Sequence, residues 1–331
     1  MRKLSLGAVA VVASLALAAC GAGGTSSAPE TTETATEAAG AFPATITHNA
    51  GETTIESQPK SIVVLDMAAL DTIDALGAGD LVTGVPVKSV PTWLKDDQGT
   101  DYSTLENVGT LKEPDVEAIA KLNPDLVVVG ARSAKFYDEL SKNFTTIDAS
   151  VPWDKDGYSQ RAAESVEMLA TAVGKAERGA ELKDELLAKI AEYKAEAEKS
   201  ERGTAMVLMT NGGEVSMHGP QSRWAPIYDV FGFKPVTEGE AEEGHKGQKI
   251  SFETVRELAP DYIFVIDRDA AIGNTEAGTT AQQVLDNDLV NETPAAKNGH
   301  IVYLSPERWY VVMTGASNFM AELEEVAAAT K

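Results

Sequence analysis

Two apolar runs carry much of the folding information in this chain, Leu126-Val-Val-Val129 and Tyr262-Ile-Phe-Val-Ile266. Each is continuous rather than alternating, the pattern of a strand covered on both faces as in a parallel sheet. The segments that precede them repeat as well. Asp115-Val-Glu-Ala-Ile-Ala-Lys-Leu-Asn-Pro-Asp125 aligns without gaps with Ser251-Phe-Glu-Thr-Val-Arg-Glu-Leu-Ala-Pro-Asp261. Both predict a short helix with a glutamate in its first turn (Glu117, Glu253), then Pro-Asp, then the apolar strand, and both strands exit into an arginine, Arg132 and Arg268. A second correspondence lies upstream. Ser61-Ile-Val-Val-Leu-Asp66 leads to a helix closed by Gly77, and Thr204-Ala-Met-Val-Leu-Met-Thr210 leads to one closed by Gly232, the residue that most readily ends a helix in a left-handed conformation. The pattern predicts an α/β fold of two Rossmann-like lobes.

Between the halves, residues 176–200 hold no proline and a single glycine, Gly179, with Leu182, Leu186, Ile190 and Tyr193 at helical spacing. At 1.5 Å per residue this is a helix of about 36 Å, long enough to join two lobes as a strut. An amphipathic segment from Tyr158 to Val173 precedes it and is expected to pack on the first lobe. The reading divides the chain into an N-terminal lobe (42–157), a helical segment with the strut (158–200) and a C-terminal lobe (201–331).

The first forty residues follow different rules. Arg2 and Lys3 are followed by an apolar run from Leu6 to Ala19 and then by Cys20, the one cysteine among 331 residues. The run is too short to span a bilayer and has the layout of a signal peptide (1–19). Leu17-Ala-Ala-Cys20 resembles a lipobox, which makes Cys20 the lipidated first residue of the mature protein. Several acyl chains, at about 0.8 kcal/mol per buried methylene, would tether it to a membrane. Residues 20–41 hold Gly, Ser, Thr, Ala, Glu and Pro and almost no large apolar side chain, so they predict a flexible leash.

Charge narrows the function. With 28 Lys and Arg against 51 Asp and Glu the net charge is −23, or −25 once Arg2 and Lys3 leave with the signal. Nucleic acid is excluded as a partner, since phosphate backbones demand basic surface. Against such a background, an inward-facing arginine cluster is informative. Ligands of open α/β sheets bind beyond the carboxyl ends of the strands, where Arg132 and Arg268 both lie. If the lobes face one another, the two cations converge on the cleft between them.

These features resemble the class of the periplasmic-binding-protein superfamily whose lobes are joined by one long helix, and within it the ferric siderophore-binding lipoproteins that take catecholate-type complexes. The likeness covers about residues 42–331. It implies an extracytoplasmic, lipid-anchored, monomeric substrate-binding protein of an ABC importer, with no permanent cofactor and Fe(III) arriving inside the siderophore. It implies that Arg132, Arg223 (in Gly219-Pro-Gln-Ser-Arg-Trp224) and Arg268 grip the anionic complex. Guanidinium forks suit its ring of oxygens and remain charged. Where the siderophore leaves iron positions open, the resemblance adds His245 and Tyr310 as iron ligands, a phenolate being a natural donor to hard Fe(III). A histidine in the acidic, glycine-flanked segment 243–247 can equally be solvated, and a tyrosine beside Trp309 can be core. Trp224, with Trp309, Tyr228 and Phe136, is either a stacking surface for catechols or core. The resemblance also implies that an acidic residue on the outer face of each lobe meets arginines of the permease, and Asp71 and Asp229 lie in the corresponding helices.

Other readings compete. An enzyme would need chemistry that is missing: there is no Gly-x-Ser-x-Gly, no His-Glu-x-x-His and no Walker loop, and Gly77-Ala-Gly79 lacks the third glycine of a dinucleotide fingerprint. A bare zinc or manganese ion calls for converging histidines and carboxylates, whereas the four histidines here are scattered. Haem or a corrinoid on the same scaffold, and a structural or adhesive surface lipoprotein, remain alternatives.

Overall fold

The computed structural model describes residues 42–95, 99–153, 156–199, 201–237, 247–274 and 278–331. The first half begins with an antiparallel hairpin of β1 (Ala44–His48) and β2 (Gly51–Ile55). A parallel sheet follows, made of β3 (Ile62–Val64), β4 (Val82–Val85), β5 (Glu106–Asn107), β6 (Leu126–Val129) and β7 (Thr146–Asp148) in the spatial order β5-β4-β3-β6-β7. The second half contains β8 (Thr204–Asn211), β9 (Glu214–His218), β10 (Lys234–Pro235), β11 (Gln248–Lys249), β12 (Tyr262–Asp267) and β13 (Ile301–Tyr303). Its sheet runs β11-β9-β8-β12-β13, with β10 pairing the start of β8; β9 and β11 are antiparallel and the rest parallel.

The continuous apolar runs behave as their pattern predicts. Ile62, Val64, Leu126 and Val128 point to one face of the first sheet, Val63, Val127 and Val129 to the other, and all are fully buried. The first set belongs to a core that continues into the second half through Val207, Phe264 and Ile266, so the two sheets share apolar packing by way of the helices between them.

Each copy of the repeat closes in the same way. Asp115 caps the helix Val116–Leu122 and Ser251 caps Phe252–Leu258, and both helices end in a left-handed residue, Asn123 and Ala259. The aspartates of the two Pro-Asp pairs then act alike. Asp125 accepts from the amides of Lys60 and Ser61, and Asp261 from the amide and hydroxyl of Thr204. Each carboxylate thus fixes the entry of a neighbouring strand, β3 or β8.

Two helices bridge the halves, Tyr158–Val173 and the 22-residue helix Ala176–Ala197. They pack closely, because a Cβ on Gly179 would stand 2.1 Å from the Cβ of Ala170. The C-terminal helix Ala316–Ala329 packs on both of them and on Met67–Ala75 of the first half. The chain therefore returns to the first lobe at its end, and the observed architecture is two α/β lobes joined by a long helix with a cleft between them. No helix among the described residues is long and apolar enough to cross a membrane.

Candidate functional site

Strand β6 ends at Val129 and the chain turns sharply. Ala131 takes a φ of 42°, its amide donates to Ser150 Oγ at 2.9 Å, and Ser133 Oγ donates to the Leu65 carbonyl at 2.9 Å. This pinned turn sends Arg132 across the cleft, where Nη2 donates to the Tyr310 carbonyl at 2.5 Å and Nη1 to that of Val311 at 3.4 Å. From the opposite lobe, Arg268 leaves β12 and donates from Nε to the Tyr310 hydroxyl at 3.0 Å and from Nη1 to Asn211 Oδ1 at 2.7 Å. Arg223 completes the group, with its guanidinium 4.9 Å from the ring centres of both Tyr310 and Trp224. Three cations from two lobes therefore surround one phenol.

Tyr310 lies in a π-helical turn, Arg308–Val312, which ends at Met313 with φ 57° and ψ −108°. That conformation is strained for a residue with a Cβ. It is held by the Met313 amide, which donates to the Arg308 carbonyl at 2.7 Å, and by Asn318 Nδ2, which donates to the Met313 carbonyl at 2.7 Å. Such turns recur at functional sites because the extra residue redirects a side chain.

The electrostatics follow from this geometry. Burial alone would push the Tyr310 phenol up, but the Arg268 hydrogen bond and the charges of Arg132, Arg223 and Arg268 outweigh it and bring it below its ordinary value. Burial, and then repulsion by Arg132, pull Arg223 down to about 10, so it remains cationic at neutral pH. His218, 3% exposed, is pulled down to about 3 by burial and by Arg223, which keeps it neutral.

In front of this cluster opens a cleft of about 420 Å³, within the range of small-molecule sites. Arg132, Arg268 and Tyr310 line it, and so do Lys88, Lys95 and Lys112. Glu307 is the one carboxylate among the described lining residues, and it is engaged across the cleft by the Thr92 amide at 3.1 Å and hydroxyl at 2.7 Å.

Some expected residues lie elsewhere. Trp224 is 1% exposed and donates to the Trp309 carbonyl at 3.0 Å, so it supports Arg223 from behind and is no stacking surface. Trp309 and Tyr228 are buried likewise. Asp71 is 1% exposed: it accepts from the Asn318 amide at 2.9 Å and from Trp93 Nε1 at 3.1 Å, which corrects its expected place on an outer face. Asp229 is half-buried and accepts from Ser159 Oγ at 2.8 Å, so its carboxylate ties two helices together. His245 and Cys20 lie outside the described residues. Lys88, Lys112, Asn211 and Glu307 were not anticipated. Lys88 and Lys112 follow β4 and β5, short strands with no repeat partner to draw attention to what comes after them.

The model of a family described as periplasmic binding protein matches residues 62–307. This chain belongs to that family. The family comprises substrate-binding transport components, so the protein is not an enzyme. Within the family, the petrobactin-binding protein YclQ of Bacillus subtilis is 36% identical over 98% of this chain and 98% of its own length. Its crystal structure superposes with a TM-score of 0.77, at 34% identity over 87% of this chain and 98% of that chain. The iron uptake ABC transporter substrate-binding protein PiuA of Streptococcus pneumoniae gives a TM-score of 0.78 at 36% identity, covering 86% of this chain and 98% of that one. The catecholate-siderophore binding protein VctP of Vibrio cholerae gives 0.77 at 32%, covering 86% and 99%.

Proposed function

We propose that this periplasmic binding protein is the substrate-binding component of an ABC-type iron–siderophore importer, taking an anionic ferric catecholate and handing it to the permease. One observation carries the reading: guanidinium groups from both lobes meet around Tyr310 at the mouth of a cationic cleft in a protein of net charge −23. The relatives named for petrobactin, catecholate siderophores and iron uptake support the same cargo.

In this reading Arg132, Arg223 and Arg268 attract and orient the complex. Each fork can donate to several oxygens at once. The lowered Tyr310 phenol becomes a phenolate more readily than a free one, and offers Fe(III) a hard oxygen wherever the siderophore leaves a position open. His245 is the second proposed iron ligand. Cys20 carries the lipid that holds the protein on the outer face of the cytoplasmic membrane. The shared core and the paired connecting helices favour a small closure over a wide hinge, and the protein acts as a monomer.

Titrating the mature protein with ferric catecholate, hydroxamate and citrate complexes, followed by tryptophan fluorescence, tests the reading. The catecholate should bind tightest, and failure of all three to bind would overturn it. Tyr310→Phe should weaken complexes with unfilled iron positions far more than a hexadentate one, and equal losses would count against direct coordination.

A further inference from the structure

The arginine cluster uses only part of the cleft's charge. The first sheet runs β5-β4-β3-β6-β7, and the carboxyl ends of three of these strands deliver a cation to the same cleft: β6 leads to Arg132, β4 to Lys88 and β5 to Lys112. β4 and β5 lie on the other side of β3 from β6, so Lys88 and Lys112 reach the cleft from the opposite flank of the sheet edge to Arg132.

Both lysines are held on fixed turns. After β4 the Val87 amide donates to Asn107 Oδ1 at 3.3 Å, the Ser89 amide donates to the Pro86 carbonyl at 2.8 Å, and Val90 is 2% exposed. After β5 the Lys112 amide donates to Thr110 Oγ1 at 3.3 Å and the Glu113 amide to the same oxygen at 3.0 Å. Gly109 permits this turn: at φ 95°, a Cβ there would meet Glu113 O and Asp115 N at 2.6 Å. Lys88 and Lys112 are exposed, and neither has an ion pair among the described residues, although the chain holds 51 carboxylates. Lys95 also lines the cleft, directly after the short turn Thr92–Leu94. The opposite wall, Ala271-Ile272-Gly273, is apolar, with Ile272 49% exposed.

We infer that Lys88 and Lys112 form a second anion subsite, beside the iron-chelate site, that takes free carboxylates on the siderophore backbone while the apolar wall at Ile272 receives its uncharged portion. The inference rests on the siderophore reading and makes it narrower: the cargo is a catecholate complex with carboxylate outside the iron's own ligand set. Charge on the chelate core is met by the three arginines around Tyr310, whereas the lysines approach the cleft from the β4–β5 flank. Two lysines on rigid turns can engage one or two carboxylates with little ordering of the protein.

The test uses iron(III) complexes of two bis-catecholamides built on the same diamine backbone, one with pendant carboxylates and one without, bound to the full mature chain and to Lys88→Gln/Lys112→Gln. Wild type should prefer the carboxylate-bearing complex, and the double variant should lose affinity about 30-fold for it and no more than about threefold for the other, as expected for removing two charge-assisted contacts. Raising the salt concentration on wild type gives a readout independent of variant folding, and should weaken the carboxylate-bearing complex more steeply than its neutral-backbone counterpart. Equal losses for both complexes, or equal salt dependence, would reduce the lysines to general attraction and overturn the inference. If wild type binds neither complex, the siderophore reading itself fails, and that result is distinct from a loss of preference.

Discussion

Arg268 donates from Nε to the hydroxyl of Tyr310 at 3.0 Å, and Asn211 holds the same guanidinium from the other side at 2.7 Å. The contact favours the phenolate over the phenol. Burial raises Tyr102, Tyr158 and Tyr228, in each case as the largest influence, while Tyr310 alone among these four is lowered from its ordinary 10.0. In an ultraviolet titration Tyr310 should ionise before them, and the early step should vanish in Tyr310→Phe. Arg268→Gln should move that step upward. The phenolate's contribution to stability is complete above the unfolded value and is lost as pH falls through the lowered folded value. An early step that persists in Tyr310→Phe would show that another group carries it.

Arg223 is sandwiched between the rings of Trp224 and Tyr310 at 4.9 Å from each, so its fork has little freedom to lose on binding a ligand. A charge-assisted contact of this kind is worth roughly 1.5–3 kcal/mol, or about 10- to 150-fold in affinity. Arg223→Ala should weaken the best ferric ligand within that range. Arg223→Lys should recover only part of the loss, because a point charge replaces a planar fork. Calorimetry on the two variants measures this, and full recovery by lysine would mean that charge alone matters.

How far such a site is legible depends on what the sequence can repeat. Arg132 and Arg268 stood out because an aligned helix, Pro-Asp and strand precede each of them. Arg223 has no such frame and came from resemblance. Asp125 and Asp261 were visible as a repeated Pro-Asp, but their role emerges only when β3 and β8 lie beside them. Asp71 is placed by resemblance alone, with no repeat or motif around it. Residues 316–329 pack on its helix, and Met67, Ala69, Leu70, Asp71, Thr72 and Ile73 are all buried. A local likeness carries no record of a face covered by a distant segment.

Asp71 now has a structural task that can be measured. Gly315 offers the C-terminal helix no side-chain cap, and Asp71 Oδ2 supplies one by accepting from the Asn318 amide, while Thr72 Oγ1 accepts from that of Ala316 at 3.0 Å. Asp71→Ala removes the cap and leaves Trp93 Nε1 without its acceptor. The expected loss is about 2–4 kcal/mol, or roughly 5 °C in melting temperature. A surface docking residue would instead leave the melting temperature unchanged and reduce uptake only.

Glu322 provides a separate test of the buried layer beneath the cleft. It is 3% exposed and accepts from Asn318 Nδ2 at 3.0 Å. Burial raises its carboxyl well above the ordinary value, the Asn318 hydrogen bond opposes this, the charges of Glu325 and Asp71 add to the rise, and Arg308 opposes it. Tyr158, on the facing helix, is buried against it and feels its charge in turn. Asp66, Asp71 and Asp229 are raised in the same direction, with burial the largest cause for each. A carboxyl that holds its proton more tightly when folded contributes stability that is complete below its unfolded value and is lost as pH rises through the folded one. The melting temperature should therefore rise as the pH is lowered toward the ordinary carboxylate range. Glu322→Gln keeps an oxygen to accept from Asn318 and removes the titrating proton, so it should flatten this dependence and stabilise the protein most at the alkaline end. A uniform loss of stability at every pH would mean that Glu322 is needed as a charged partner of Arg308, and that the buried layer is held together by ionic attraction.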